Sequence, residues 1–276
     1  MTQDAPLVSV LMPAYNAQKY IEEAIRSILT QSYKNLQFII VNDASTDRTG
    51  DIIEQFRLQD SRIELITNTS NLKMSLSLNK GLALARGKYI ARMDADDISL
   101  PERISRQVAY MESHPEVGIS GTSMRIVDED LQQIGIRSYY LTDAEIRKHI
   151  FKFSPFCHPS IIMRKDALEK AGGYEHEYNP AEDYELYFRL GTHSKFGNIP
   201  DFLLMYRTVP NSMTTGGINK MESKTTKIKL KYLVQYNART LDYILTYAQL
   251  YMSKFIPPKL KFKLFVYLRA FFAQAK

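Results

Sequence analysis

Along the first 120 residues, apolar runs of two kinds alternate. Short runs, "LVSVLM" (7–12), "LQFIIVN" (36–42), "IELIT" (63–67) and "KYIARM" (88–93), predict strands. Between them lie segments with a helical period. In "YIEEAIRSILTQ" (20–31), Ile21, Ala24, Ile25, Ile28 and Leu29 share one face. "DIIEQF" (51–56) sits in a second helical stretch, and "MSLSLNKGLALARG" (74–87) reads as a third helix, stopped by Gly87. Strand and helix in alternation predict an α/β fold: a mostly parallel central sheet with helices on both faces. The strands are continuous apolar runs, as in sheets covered on both sides.

The pattern loosens afterwards. "VGISGTSMRIVDED" (117–130) reads as a strand and a polar turn. "TDAEIRKHIF" (142–151) opens with a capping box, Thr142 with Glu145. "CHPSIIMRKDALEKAGGY" (157–174) reads as a strand leading into a short helix closed by Gly172 and Gly173. "PAEDYELYFRL" (180–190) predicts a helix opened by Glu182 and Asp183, with Leu186 and Leu190 on its apolar face. From Lys220 the chain turns basic and aromatic. Tyr232, Tyr236, Tyr243, Tyr247 and Tyr251 recur on one stripe of a helix ended by "IPP" (256–258), and "KLKFKLFVYLRAFF" (259–272) predicts a second helix.

In open α/β sheets, ligands bind beyond the carboxyl ends of the strands. The first strand is followed by Pro13, Tyr15 and Asn16, the second by Asn42, Asp43, Ser45 and Asp47, the fourth by Asp94, Asp96 and Asp97. Three carboxylates within four positions repel one another unless a cation lies among them. A hard divalent cation, Mg²⁺ or Mn²⁺, takes carboxylate, phosphate and water oxygens, so this cluster predicts a metal site completed by a diphosphate. Asp94 and Asp96, two apart at a strand end, are expected to face the same way. The bland alternative is a solvated acidic turn in which Asp97 or Ser99 caps the helix that Pro101 and Glu102 announce. No G-x-G-x-x-G follows the first strand and no G-x-x-x-x-G-K-[ST] occurs, which argues against a dinucleotide redox enzyme or a P-loop NTPase.

Length and composition bound the rest. The 276 residues, 45% of them apolar, suffice for one large domain and an appendage. The single cysteine, Cys157, allows no intrachain disulfide and suits a reducing compartment. Neither a signal peptide nor a spanning helix is expected. The net charge of +6 divides unevenly: 24 basic against 28 acidic residues in 1–219, and 12 against 2 in 220–276. The expected organisation is a catalytic body over 1–219, with a nucleotide half to about residue 120 and an acceptor half beyond, and a basic tail over 220–276.

"VSVLMPAYN", "FIIVNDASTDRT", "ARGKYIARMDADD" and "AEDYELYFRL" resemble, in order and spacing, motifs of the family 2 glycosyltransferases with the GT-A fold. The resemblance covers about residues 7–210. It implies an inverting transfer of a sugar from a nucleotide-diphospho-sugar, most often a UDP-sugar, to a hydroxyl of a glycan or glycolipid in surface polysaccharide or lipooligosaccharide assembly. It places Pro13 and Tyr15 along the nucleotide, with Tyr15 against the base, and Asp43 on the pyrimidine ring. Asp94 falls near the ribose or metal-bound water, Asp96 on the divalent cation, and Asp97 matches a third acidic residue of less definite role. Asp183 matches the general base, with Glu182 in support. His158 and Arg207 fall on the acceptor side or in support, although His158 reads equally as a structural histidine. Two positions depart from the family. Val209 stands where a histidine often follows Arg207, which puts a contact to the diphosphate or metal in doubt, and Lys73 stands where glycine is usual.

Two other classes remain: a nucleotidyltransferase, for which "PAYNAQKY" lacks the expected Gly/Arg/Lys-rich loop, and a non-catalytic nucleotide-sugar-binding scaffold, which should have lost the acidic motifs. The tail suggests peripheral contact at the inner face of the cytoplasmic membrane through residues 259–276, with aromatics in the interface and cations toward anionic head groups. Packing of the tail on the body or on a second copy, giving a homodimer, is the alternative. No nucleic-acid-binding motif accompanies the charge.

Overall fold

The computed structural model describes residues 5–208 and 218–255, which fall into two compact units divided between Val209 and Pro210. In the first unit, β1 (Val8–Ala14), β2 (Leu36–Asn42), β3 (Ile63–Thr67) and β4 (Tyr89–Arg92) pair in parallel in the order β3-β2-β1-β4. The crossovers are α1 (Ile21–Leu29), α2 (Thr49–Gln59) and α3 (Lys73–Leu84). Every residue of β1 and β2 is buried, so both faces are covered. Ile21, Ala24, Ile25 and Ile28 are wholly buried on the apolar face of α1.

After β4 the chain turns through Asp94–Asp97 into the two-residue strand β5 (Ile98–Ser99) and α4 (Arg103–Ser113). Then come β6 (Val117–Val127), its hairpin partner β7 (Gln133–Arg137), α5 (Asp143–His149) and a 3₁₀ turn at His158–Ser160. β8 (Ile162–Arg164) runs antiparallel between β4 and β6 and carries the sheet into the second half. α6 (Lys165–Ala171) and α7 (Glu182–Gly191) lead to β9 (Lys195–Arg207), parallel to β6 and antiparallel to β5. The capping box of α5 is present in both halves. Gly172 and Gly173 end α6 with φ of 84° and 75°, a left-handed region that costs glycine nothing.

The structure gives Gly87 a different reason from the expected one. α3 ends at Leu84, Ala85 is extended, and Gly87 is not left-handed. A Cβ at Gly87 would lie 2.5 Å from the Ser9 amide nitrogen and 2.8 Å from the Leu7 carbonyl oxygen. The glycine lets the approach to β4 lie against β1, where its N–H donates to Ser9 Oγ at 2.9 Å. Gly87→Ala should therefore lower stability by about 1–3 kcal/mol, the range for overpacking a tight site. An unchanged thermal midpoint would contradict this.

In the second unit, α8 (Ile218–Tyr232) and α9 (Thr240–Phe255) replace the single helix expected to carry the tyrosine stripe. Asn237 turns left-handed (φ 47°), and Ala238 N–H donates to the Leu233 carbonyl at 2.9 Å, a turn that ends a helix. Tyr232 thus lies on α8, and Tyr243, Tyr247 and Tyr251 lie on α9. No helix among the described residues is long and apolar enough to cross a membrane. The expected "IPP" stop and the helix over 259–272 lie outside the described residues, as does Val209.

Candidate active site

The first wall of the site is made by the ends of β1 and β2. Leu11 accepts a hydrogen bond from Met93 N–H on the β4 side. Pro13, two residues on, faces that same side by strand alternation, beyond the end of β4 at Arg92. Its missing N–H ends the β1–β4 ladder there. Tyr15 follows, half exposed at 50%. Its loop is tied to the loop after β2: Asn16 N–H donates to Ser45 Oγ (3.0 Å), and Gln18 N–H donates to Asp47 Oδ2 (3.1 Å). Ser45 and Asp47 are thus turn-fixing residues.

Asp43 is buried and already holds three donors. Its Oδ1 accepts from Asn68 Nδ2 and from Leu72 N–H, both at 2.8 Å, and its Oδ2 accepts from Lys73 N–H at 2.9 Å. A carboxylate offers about four acceptor positions, so about one remains for a ligand. Lys73 is exposed and left-handed (φ 71°). That conformation explains why glycine suits the position and assigns no phosphate contact to the lysine.

Asp94, Asp96 and Asp97 come together in the turn between β4 and β5, not by strand alternation as expected. One carboxylate oxygen from each lies within 4.8 Å of the others. Burial, then the charge of Asp94, pushes Asp96 up to about 6. Burial, Asp94 and Asp96 hold Asp97 well above the usual carboxylate range. Neither Asp97 nor Ser99 caps α4. Asp97 Oδ1 accepts from Arg207 N–H at 2.8 Å, and Ser99 lies in β5. Asp97 Oδ2 is buried with no partner. A crowded, all-oxygen set of carboxylates, two of them pushed up by burial and by their neighbours' charge, with a free buried oxygen, fits a hard divalent cation.

Arg207 has a clear structural position. Its guanidinium donates to the Asp96 carbonyl (2.9 Å), to the Glu129 carbonyl (2.7 Å) and to Glu23, and it lies 4.5 Å from the centre of the Tyr20 ring. It supports the acid loop from behind, and β5–β9 pairing brings it there.

Glu182 and Asp183 open α7. Glu182 is 5% exposed and Asp183 is partly exposed. Burial, then Asp183, pushes Glu182 up to about 7, and burial raises Asp183 as well. Tyr187, one turn on, has its hydroxyl 3.5 Å from Asp183 Oδ2. His158 Nε2 lies 3.0 Å from the Tyr174 hydroxyl. Burial and the charge of Arg92 hold His158 well below its ordinary value, so it stays neutral.

A sequence model described as glycosyl transferase family 2 matches residues 9–172. An uncharacterized glycosyltransferase of Haemophilus influenzae is 34% identical over 245 residues, 85% of this chain and 75% of its own. The chain belongs to glycosyl transferase family 2. The amylovoran biosynthesis glycosyltransferase AmsE of Erwinia amylovora is 30% identical, over 82% of this chain and 85% of its own. Residues 1–349 of S. aureus TarS, crystallised with UDP-GlcNAc, share the fold at a TM-score of 0.69 and 20% identity, over 82% of this chain and 66% of that one. The mannosyltransferase PcManGT from Pyrobaculum calidifontis, in complex with GDP-Man and Mn²⁺, does so at 0.64 and 19%, over 83% and 64%. The fold is therefore GT-A, and the nucleotidyltransferase and non-catalytic alternatives fall away.

Two residues of this glycosyltransferase escaped the sequence reading. Arg92, 2% exposed, pairs with Asp94 at 2.5 Å, and its charge also acts on Asp96, Asp97, Glu182 and Asp183. Arg103 is wholly buried and donates to the Arg92 carbonyl at 2.6 Å, so it pins the end of β4. A signal existed for both: an arginine inside an otherwise apolar strand, or on the buried stripe of a helix, is rare unless paired.

Proposed function

We propose that this family 2 glycosyltransferase is a metal-dependent, inverting enzyme that moves a sugar from a nucleoside-diphosphate donor to a hydroxyl of a glycan or lipid-linked glycan. One observation carries the reading: the turn after β4 brings carboxylate oxygens of Asp94, Asp96 and Asp97 within 4.8 Å of one another, the all-oxygen set that a hard divalent cation takes. The UDP-GlcNAc in the TarS structure and the amylovoran biosynthesis in the name of AmsE support a nucleotide-sugar donor and a polysaccharide product.

Asp96 and Asp97, with Asp94, would hold a divalent cation, which offsets the charge developing on the leaving diphosphate. Tyr15 and the open position on Asp43 would take the base. Asp183 would accept the proton of the acceptor hydroxyl as its oxygen attacks the anomeric carbon, while the bond from that carbon to the diphosphate breaks on the opposite face. Burial suits Asp183 to this task, because a raised carboxylate is a stronger base. His158, neutral and engaged with Tyr174, would line the acceptor side. The test is release of nucleoside diphosphate across a panel of UDP- and GDP-sugars with Mn²⁺ or Mg²⁺. Turnover of at least one donor is expected, and none in excess EDTA.

The tail, in the same proposal, brings the enzyme to a lipid-linked acceptor at the membrane surface. Residues 259–276 carry Lys259, Lys261, Lys263, Arg269 and Lys276 and no acidic residue. Each cation near an anionic surface contributes about 1 kcal/mol, lost over a Debye length. Intact protein should sediment with phosphatidylglycerol-containing vesicles, and protein ending at residue 258 should not. High salt should weaken the binding only in part, because Phe262, Phe265 and Phe271 add apolar contact. Equal sedimentation of both forms would rule the tail out as the anchor.

A further inference from the structure

Three buried polar atoms beside the acid cluster have no hydrogen-bond partner: Arg92 Nε, Arg92 Nη1 and Glu182 Oε2. Both residues are at least nine-tenths buried. The rest of Arg92 is fixed. Its Nη2 pairs with Asp94 at 2.5 Å and lies 3.7 Å from Met74 Sδ, and its carbonyl is held by Arg103. The two free N–H groups are therefore not a matter of a loose side chain. Glu182 feels the charge of Arg92 but is not bonded to it. More than about nine in ten buried polar groups in folded proteins have partners. A buried donor pair and a buried acceptor left open together are complementary to a group that both accepts and donates. A hydroxyl is such a group.

Their place in the site says which hydroxyl. Arg92 ends β4 and pairs with Asp94 on the metal side at 2.5 Å, and Glu182 stands beside Asp183 at the start of α7 on the base side. In the reaction proposed above, on which this inference rests, the transferred sugar spans that interval, from diphosphate to attacking oxygen. We propose that Arg92 and Glu182 together bind one hydroxyl of the transferred sugar, Arg92 donating hydrogen bonds to its oxygen and Glu182 Oε2 accepting the hydrogen bond of its O–H. Arg92 is thereby a donor-specificity residue as well as the partner of Asp94. An ionised carboxylate at that position of the sugar has no proton for Glu182, so the pair favours a neutral hexose or N-acetylhexosamine.

The test is binding, with Mn²⁺ present, of a nucleoside diphosphate and of its sugar conjugate: UDP with UDP-N-acetylglucosamine, or GDP with GDP-mannose, whichever pair the wild type takes. Arg92→Lys keeps a cation to pair with Asp94 but loses Nε and Nη1. Its affinity for the sugar conjugate should fall by about tenfold or more beyond any change in its affinity for the diphosphate, the scale of a hydrogen bond to a charged group. Equal loss for both would mean that Arg92 acts only through Asp94, and no loss for either would overturn the inference as well. Should the lysine variant fail to fold by thermal unfolding, singly deoxygenated donors decide with the wild type. One of them should bind about tenfold or more weakly, and equal binding of all of them would overturn the proposal. A wild type that binds neither member of either pair would instead overturn the functional reading itself.

Discussion

Asp183→Asn should cut turnover by about 10²–10⁴-fold, the usual contribution of a positioned general base, while leaving donor affinity within a few-fold. Asparagine keeps the shape of the side chain and an oxygen for the Tyr187 hydroxyl, which lies 3.5 Å away. It removes only the ability to take a proton. The neighbouring Glu182 is pushed up to about 7 and is the next candidate. If Asp183→Asn turns over like wild type and Glu182→Gln loses turnover with donor affinity unchanged, the base is Glu182. The wild type should also show the pH dependence of a base. The carboxylate must be ionised to act, and burial raises Asp183, so activity should switch on as pH rises through a value above the ordinary range.

Asp96→Ala should abolish metal-supported turnover and leave the fold nearly intact, because it relieves repulsion within the turn and removes no core packing. The cluster also predicts how metal affinity follows pH. Cation binding requires ionised carboxylates and releases their protons. Burial and mutual repulsion push Asp96 up to about 6 and hold Asp97 well above the usual carboxylate range before binding. Below pH 6, then, each further unit should weaken cation affinity about tenfold per coupled proton, and saturating Mn²⁺ should move the acid limb of activity to lower pH. Activity that is indifferent to EDTA, or a cation affinity flat between pH 5 and 7, would contradict the assignment.

The parallel half of the sheet was legible because burial on both faces leaves continuous apolar runs in β1, β2 and β4. Strand ends in such a sheet meet at one crevice, so Tyr15, Asp43 and the Asp94–Asp97 turn could be read without coordinates. Features that depend on distant pairing could not. β5 has two residues and exists because Ile98 and Ser99 pair with Met205 and Leu204. That pairing makes Arg207 a support of the acid loop, one of the two readings its motif left open. Asp43 reads as a ligand residue in sequence, yet most of its acceptor capacity goes to Asn68 and to the backbone at Leu72 and Lys73. Arg92 was hidden by its apolar neighbours, since a run scored for hydropathy conceals the one charge within it. The stripe of tyrosines has a helical period across a break that a single residue, Asn237, introduces.

The central claim is that the metal-side turn and the α7 carboxylate act on opposite faces of one sugar. The configuration of the released sugar tests this most directly. With an α-linked donor, a divalent cation and no acceptor, water takes the place of the acceptor hydroxyl, and proton NMR can follow the first sugar to appear before mutarotation mixes the anomers. A single displacement with Asp183 as base predicts that the β anomer appears first. First appearance of the α anomer would mean retention, and would contradict the account.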